Sequence, residues 1–210
     1  MNALIQVIKW LSFASAVPAI WLGRRLRSVL WYYAWASFGC DMLGLVVHQV
    51  MGSNSRFSGN LFGMLELLLI GIYFSYELFS GSIRKASLAI IAALILFGLY
   101  RIRVAAFEGN DWQFHAITHM VFVVYCIIAL VKVIKNVEHV KLEQSPLFVF
   151  SAAFLLYASY SCVVMLFADY FREAPVMVRQ QLWSIHNVLN VVKNLAIARV
   201  FYLKQKAPAR

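Results

Sequence analysis

The sequence predicts an all-α, polytopic membrane protein that crosses a bilayer seven times and forms one domain over residues 1–210. The chain is 62% hydrophobic and only 13% charged, whereas soluble domains average about 45–50% apolar and about 25% charged residues. Its mean hydropathy is +0.74. Its apolar runs match the roughly 20 residues that a membrane-spanning helix needs. Seven such runs use most of the chain, which leaves no room for a soluble domain.

The predicted spans follow one another through short connections rich in Gly, Ser, Asn and Pro, which are turn-forming residues. The spans are Ala3–Leu22, Val29–Met51, Asn60–Phe79, Ala86–Phe107, Trp112–Ile134, Pro146–Phe171 and Val178–Leu203.

Basic residues between the spans predict the orientation, because Lys and Arg accumulate in cytoplasmic loops. One side holds most of them: Arg24, Arg25, Arg27, Arg84, Lys85, Lys132, Lys135, Lys141, Lys204, Lys206 and Arg210. The other side holds Arg56, Arg101, Arg103, Arg172 and Arg179. We therefore expect an inner-membrane protein with its amino terminus outside and its carboxyl terminus in the cytoplasm. The net charge of +10 is expected to contact anionic membrane lipid, and no basic stretch is long enough to predict nucleic-acid binding.

Aromatic residues near the span ends predict an interfacial belt, in which Trp and Tyr rings lie at the level of the lipid headgroups. The expected members are Trp21, Trp31, Tyr32, Tyr33, Trp112 and Trp183.

Polar residues inside the spans predict a pocket in the outer half of the bundle. At 1.5 Å per residue, Glu66, His119 and His186 lie roughly 9–12 Å below the outer boundary on three different helices, and Asp41 lies somewhat deeper. Asn190 and Lys193 share a helix face with His186 at spacings of four and seven residues. Ionisable residues in membrane spans are candidates for function. We expect these six residues to bind a ligand.

A purely structural role for these residues stays open. Polar side chains often join membrane helices by hydrogen bonds of about 0.6 kcal/mol each, and Lys193 is able to pair with Asp41 or Glu66 as a buried ion pair. Glu77 lies near the inner boundary, where we expect it to pair with Arg84 or Lys85.

The pocket favours a receptor-like or sensor module that binds a small molecule or ion and signals through a partner protein, and an enzyme is less expected. The first alternative is a metal-dependent membrane enzyme resembling lipid hydrolases. Zinc or iron would then be held by residues from His115, His119, His186 and Glu66. The second alternative is a proton-coupled transporter. Retinal on Lys193 and haem between histidines are not expected, because the surrounding residues do not match those sites.

The last predicted span contains Trp183-Ser184-Ile185-His186-Asn187-Val188-Leu189-Asn190-Val191-Val192-Lys193-Asn194. This segment resembles the closing helix of small uncharacterised bacterial seven-helix membrane proteins, and the stretch from Asn60 to Glu66 is similar to theirs. Some of those proteins precede signalling domains, so the resemblance implies a sensor role. It implies no defined activity.

Overall fold

The computed structural model describes residues 2–51, 56–104, 112–135 and 141–206. Within these ranges the chain is helical and contains no strand. The helices are α1 (Asn2–Ala14), α2 (Ala16–Gly23), α3 (Val29–Met51), α4 (Arg56–Leu78), α5 (Gly81–Val104), α6 (Trp112–Lys135), α7 (Pro146–Leu166), α8 (Ala168–Glu173) and α9 (Val176–Lys206), with a 3-10 turn at Leu142–Gln144.

The described helices confirm the all-α prediction, and five described segments are long and apolar enough to cross a membrane, which fits a multi-pass protein. They are Ala3–Gly23, Ser58–Leu78, Gly81–Arg101, Trp112–Lys135 and Pro146–Leu166. The helices α3 and α9 fall outside this set. The hydropathy of α3 is lowered by Asp41 and by the Trp and Tyr residues near the start of that helix. The hydropathy of α9 is lowered by its His, Asn and Lys residues.

Two predicted spans are each divided in the structure. The first is interrupted at Ser15, between α1 and α2, because Pro18 has no N–H to donate to the carbonyl of Ala14. The Ser15 hydroxyl donates to the carbonyl of Ser12 at 2.6 Å. The sixth predicted span ends early, at Leu166, and the short helix α8 continues the chain. The predicted end of the fourth span, Phe107, lies outside the described residues.

The long helices form a ring that the last helix closes. Chain neighbours α2 and α3, α3 and α4, α4 and α5, and α6 and α7 pack side by side, and α9 contacts α7, α1, α2 and α3. The helix α5 lies outside this ring against α4 and α6. Four helices that carry polar stripes, α3, α4, α6 and α9, therefore face a common interior.

The packing of apolar residues fits a lipid environment. Aromatic rings fill the middle of the bundle between α4, α6 and α7, where Phe154 lies 5.2 Å from Phe150 and 5.4 Å from Phe122 between ring centroids. Large apolar side chains such as Leu96 and Ile134 are exposed on the outside. Soluble monomers rarely expose extended apolar surfaces, and a bilayer would cover this one.

Candidate ligand-binding site

A buried chain of hydrogen bonds joins three helices at the centre of the ring. The Lys193 ammonium of α9 donates to the Tyr33 hydroxyl of α3 at 2.6 Å. The Tyr33 hydroxyl donates to Glu66 Oε1 of α4 at 2.7 Å. Lys193 Nζ and Glu66 Oε1 are 3.9 Å apart, and the two side chains are 0% and 1% exposed. Buried charges persist where they are paired and hydrogen-bonded, so each of these groups depends on the others.

Aromatic rings surround the Lys193 ammonium. Its Nζ lies 4.1 Å from the ring centroid of Tyr157, 5.0 Å from that of Tyr33 and 5.5 Å from that of Phe62. A cation within about 6 Å of a ring face is attracted by the ring quadrupole, and more strongly when it is desolvated. Since Tyr157 belongs to α7, this contact adds a fourth helix to the network.

His119 of α6 lies beside Glu66 at the edge of the network. Its Nδ1 lies 2.7 Å from the carbonyl of His115, and because a carbonyl only accepts, Nδ1 carries a hydrogen. Its Nε2 faces Glu66 Oε2 at 3.5 Å. In neutral imidazole that nitrogen is an acceptor, so it repels the carboxylate. Nε2 has no hydrogen-bond partner among the described residues, so this contact is the unsatisfied point of the network.

A cavity of about 1020 Å³ lies against this network. Residues from α1, α3, α4, α6, α7 and α9 line it. Of the predicted ligand-binding residues, Asp41, Glu66, His119, His186 and Asn190 line the cavity, whereas Lys193 lies buried beneath Glu66 and Tyr33. The structure therefore brings the predicted set together, with Lys193 under the floor of the cavity.

The cavity lies toward one end of the bundle. Its lining includes Gln6 near the start of α1, Ser58 near the start of α4, Trp112 at the start of α6 and Arg179 near the start of α9. It also includes Leu45 from the second half of α3. The other end of the bundle carries basic residues just after α2 and in the last turns of α6 and α9: Arg24, Arg25, Arg27, Lys132, Lys135, Lys204 and Lys206.

Two amides of α9 join the last helix to serines at and just before the junction between α1 and α2. Asn190 donates to the Ser12 hydroxyl at 2.8 Å, and Asn194 donates to the Ser15 hydroxyl at 2.9 Å. His186 Nδ1 lies 3.2 Å from the Ser161 hydroxyl of α7. Asn190 and His186 therefore combine a place in the cavity wall with a hydrogen bond between helices.

The proposed metal ligands have other contacts. His115 Nε2 lies 3.4 Å from Asn60 Oδ1, and its ring fills the space over Gly63, where a Cβ would come within 2.2 Å of it. His119 uses Nδ1 on the backbone. Within the described residues, no group of three or more His, Cys, Asp or Glu side chains is placed to hold a metal ion.

Two expectations from the sequence are wrong in the structure. Tyr33, expected in the interfacial belt, is fully buried and bridges Lys193 and Glu66. Tyr33 precedes Ser37 by four residues and Asp41 by eight, so it shares a helix face with these polar residues. That spacing is the sequence signal for an inward-facing Tyr33. Glu77 pairs with Lys204 of α9 at 3.7 Å, and Arg84 instead donates to the carbonyl of Phe79. Glu77 and Lys204 lie far apart in the sequence and meet only because α9 closes the ring.

Other cavity residues were not expected to belong to the site. Trp10, Arg179 and Gln180 line the cavity, as does Trp183, whose ring centroid lies 5.5 Å from that of His186. Residues at the start of a long amphipathic helix are difficult to distinguish from interfacial anchors by sequence, because both groups are rich in Trp and Arg.

No protein family, curated protein or solved structure that was compared with the chain matches it. The resemblance of the last helix to bacterial seven-helix membrane proteins stays a prediction.

Proposed function

We propose that this chain is a receptor-like, ligand-binding module of the inner membrane that crosses the bilayer seven times. The lengths of α3 and α9 support seven crossings. They contain 23 and 31 residues, which correspond to about 35 Å and about 46 Å of helix, and the hydrocarbon core of a bilayer is about 30 Å thick. Both helices pack among the five apolar segments, so polar residues that would be costly against lipid face the interior.

The observation that carries the proposal is a large cavity built directly on a buried ionic network. Ligand sites are concave and combine apolar walls with a few convergent polar groups. The cavity has this composition, with Trp10, Trp183 and Tyr157 beside Asp41 and His186. The distribution of Lys and Arg supports an outward-facing cavity and a cytoplasmic carboxyl terminus.

The last helix offers a path from the cavity to the opposite end. The helix α9 begins beside the cavity, carries Lys193 in its middle, and ends where Gln205 donates to the carbonyl of Leu22 at 2.6 Å and Lys204 pairs with Glu77. A ligand that binds one arrangement of the Lys193–Tyr33–Glu66 network more tightly shifts the population toward that arrangement. The inner end of α9 would then change its contacts, and a signalling partner protein would detect that change.

A cavity-filling variant tests ligand binding. Asn187 lines the cavity, whereas its neighbour Val188 is exposed on the outside of the same helix. Asn187→Trp fills the cavity, and Val188→Trp is the matched control. The purified proteins are incubated with a small-molecule extract of the cells that express them, and retained compounds are identified by mass spectrometry. We expect at least one compound on wild type and Val188→Trp that Asn187→Trp does not retain. Identical sets on all three proteins would contradict the proposal.

A further inference from the structure

Among the residues that the structure describes, the charges around the cavity do not balance. Glu66 is compensated by Lys193 beneath it. The remaining charged residues that line the cavity are Lys9 and Arg179, which are positive, and Asp41, which is negative. All three are exposed, and in the part of the chain that the structure describes neither Lys9 nor Arg179 forms an ion pair. With Glu66 compensated by Lys193, the described residues that line the cavity therefore carry an excess of positive charge.

A hydrogen-bond donor without a partner among the described residues belongs to a side chain that lines the same cavity as Arg179. The indole Nε1–H of Trp112 is buried, and the described residues supply it with no acceptor. Both side chains line the main cavity, and together with Arg172 they also line a smaller adjoining space of about 170 Å³. Buried donors are nearly always satisfied by protein, water or ligand. A guanidinium and an unsatisfied indole N–H whose side chains line the same spaces are donors that suit a carboxylate or a phosphate.

Flat apolar surfaces surround these donors. The rings of Trp10, Phe13, Tyr157 and Trp183 line the same cavity. Aromatic walls favour a ligand with a planar apolar body, because rings pack in offset-stacked or edge-to-face arrangements. Positive charge, an unsatisfied donor and aromatic walls occur in one cavity, and each favours the same class of ligand.

We propose that the cavity binds an organic anion whose carboxylate or phosphate group contacts Arg179 and the Trp112 indole N–H, with its apolar body against the aromatic rings. This inference rests on the proposed function and names the ligand class. The same chemistry is found in a free aromatic acid and in the headgroup of an anionic lipid. Lys9 also lines the cavity and adds to its attraction for negative charge.

Binding of matched probes tests this inference. The probes are 1-naphthoate, its uncharged isostere 1-naphthamide, and the short-chain anionic lipid dihexanoylphosphatidylglycerol. Affinity for the detergent-solubilised protein is measured by calorimetry. We expect 1-naphthoate to bind at least tenfold more tightly than 1-naphthamide, and Arg179→Gln and Trp112→Phe each to reduce that preference severalfold. Arg199→Gln is the control, because Arg199 is an exposed arginine on the same helix and does not line the cavity.

The outcomes distinguish a soluble acid from a lipid headgroup as the ligand. They also distinguish failure of this inference from failure of the proposed function. Tighter binding of the lipid than of 1-naphthoate supports the inference with a lipid headgroup as ligand, and the reverse order supports it with a soluble acid. Equal affinity for 1-naphthoate and 1-naphthamide, no binding of either anion, or equal effects of Arg179→Gln and Arg199→Gln would overturn the inference. The proposed function survives that result if Asn187→Trp still removes a retained compound, and it fails independently if Asn187→Trp removes none.

Discussion

Replacing Glu66 by Gln is expected to destabilise the folded protein by about 3–5 kcal/mol, because it leaves a buried cation without its counter-charge. Lys193 is 0% exposed, and Glu66 is its only acidic partner within 4 Å in the described residues. The Tyr33 hydroxyl would still accept from Lys193, but it carries no charge. Unfolding of the purified protein in detergent, followed by near-UV circular dichroism, measures the loss.

Adding Lys193→Met to Glu66→Gln is expected to restore most of the lost stability. The double variant should lie within about 1 kcal/mol of wild type, because a buried ion pair and well-packed apolar residues are often of similar stability. Glu77→Gln is the matched control. Glu77 pairs with Lys204, and these side chains are 41% and 35% exposed, so this change should cost at most about 1 kcal/mol. Equal stability of Glu66→Gln and Glu77→Gln would show that Lys193 does not depend on Glu66.

Tyr33→Phe is expected to cost about 3–6 kcal/mol, because one hydroxyl makes two hydrogen bonds to charged groups, each typically about 1.5–3 kcal/mol. The hydroxyl accepts from Lys193 at 2.6 Å and donates to Glu66 at 2.7 Å. The ring remains, so its packing and its contact with the Lys193 ammonium are retained. The same unfolding measurement applies.

Tyr32→Phe provides the comparison for this prediction. Tyr32 is the preceding residue on the same helix and is 51% exposed, so removal of its hydroxyl should leave stability within about 0.5 kcal/mol of wild type. If Tyr33→Phe is as stable as Tyr32→Phe, the bridging role assigned to the Tyr33 hydroxyl is wrong.

Hydropathy and helix periodicity predict much of this molecule. The apolar runs locate the long helices to within a few residues at most ends. Depth along each helix brings Glu66, His119 and His186 to one level, and the structure places all three on one cavity. This works because a spanning helix has a fixed rise per residue, so the position of a residue in a span gives its height in the bundle.

The rotation of each helix about its axis, and the pairing of residues from distant parts of the chain, are harder to predict from the sequence. Whether Tyr33 faces lipid or the interior depends on how α3 is turned against α4 and α9. Its position near the end of a span is equally typical of a belt residue. Glu77 and Lys204 are far apart in the chain and meet only because α9 closes the ring. The division of the first predicted span follows from Pro18, which is a local signal that hydropathy averages remove.

An outward-opening aqueous cavity is the central claim, and cysteine accessibility tests it most directly. The three native cysteines, Cys40, Cys126 and Cys162, are first replaced by Ala, so that the introduced cysteine is the only thiol in the protein. Asn187→Cys then places a thiol in the cavity wall, and Val188→Cys places one on the exposed outer side of the same helix. A membrane-impermeant maleimide is applied to spheroplasts and, separately, to inverted vesicles. We predict rapid labelling of Asn187→Cys in spheroplasts, with little labelling of Val188→Cys. Labelling of Asn187→Cys only in inverted vesicles, or in neither preparation, would contradict an outward-opening cavity.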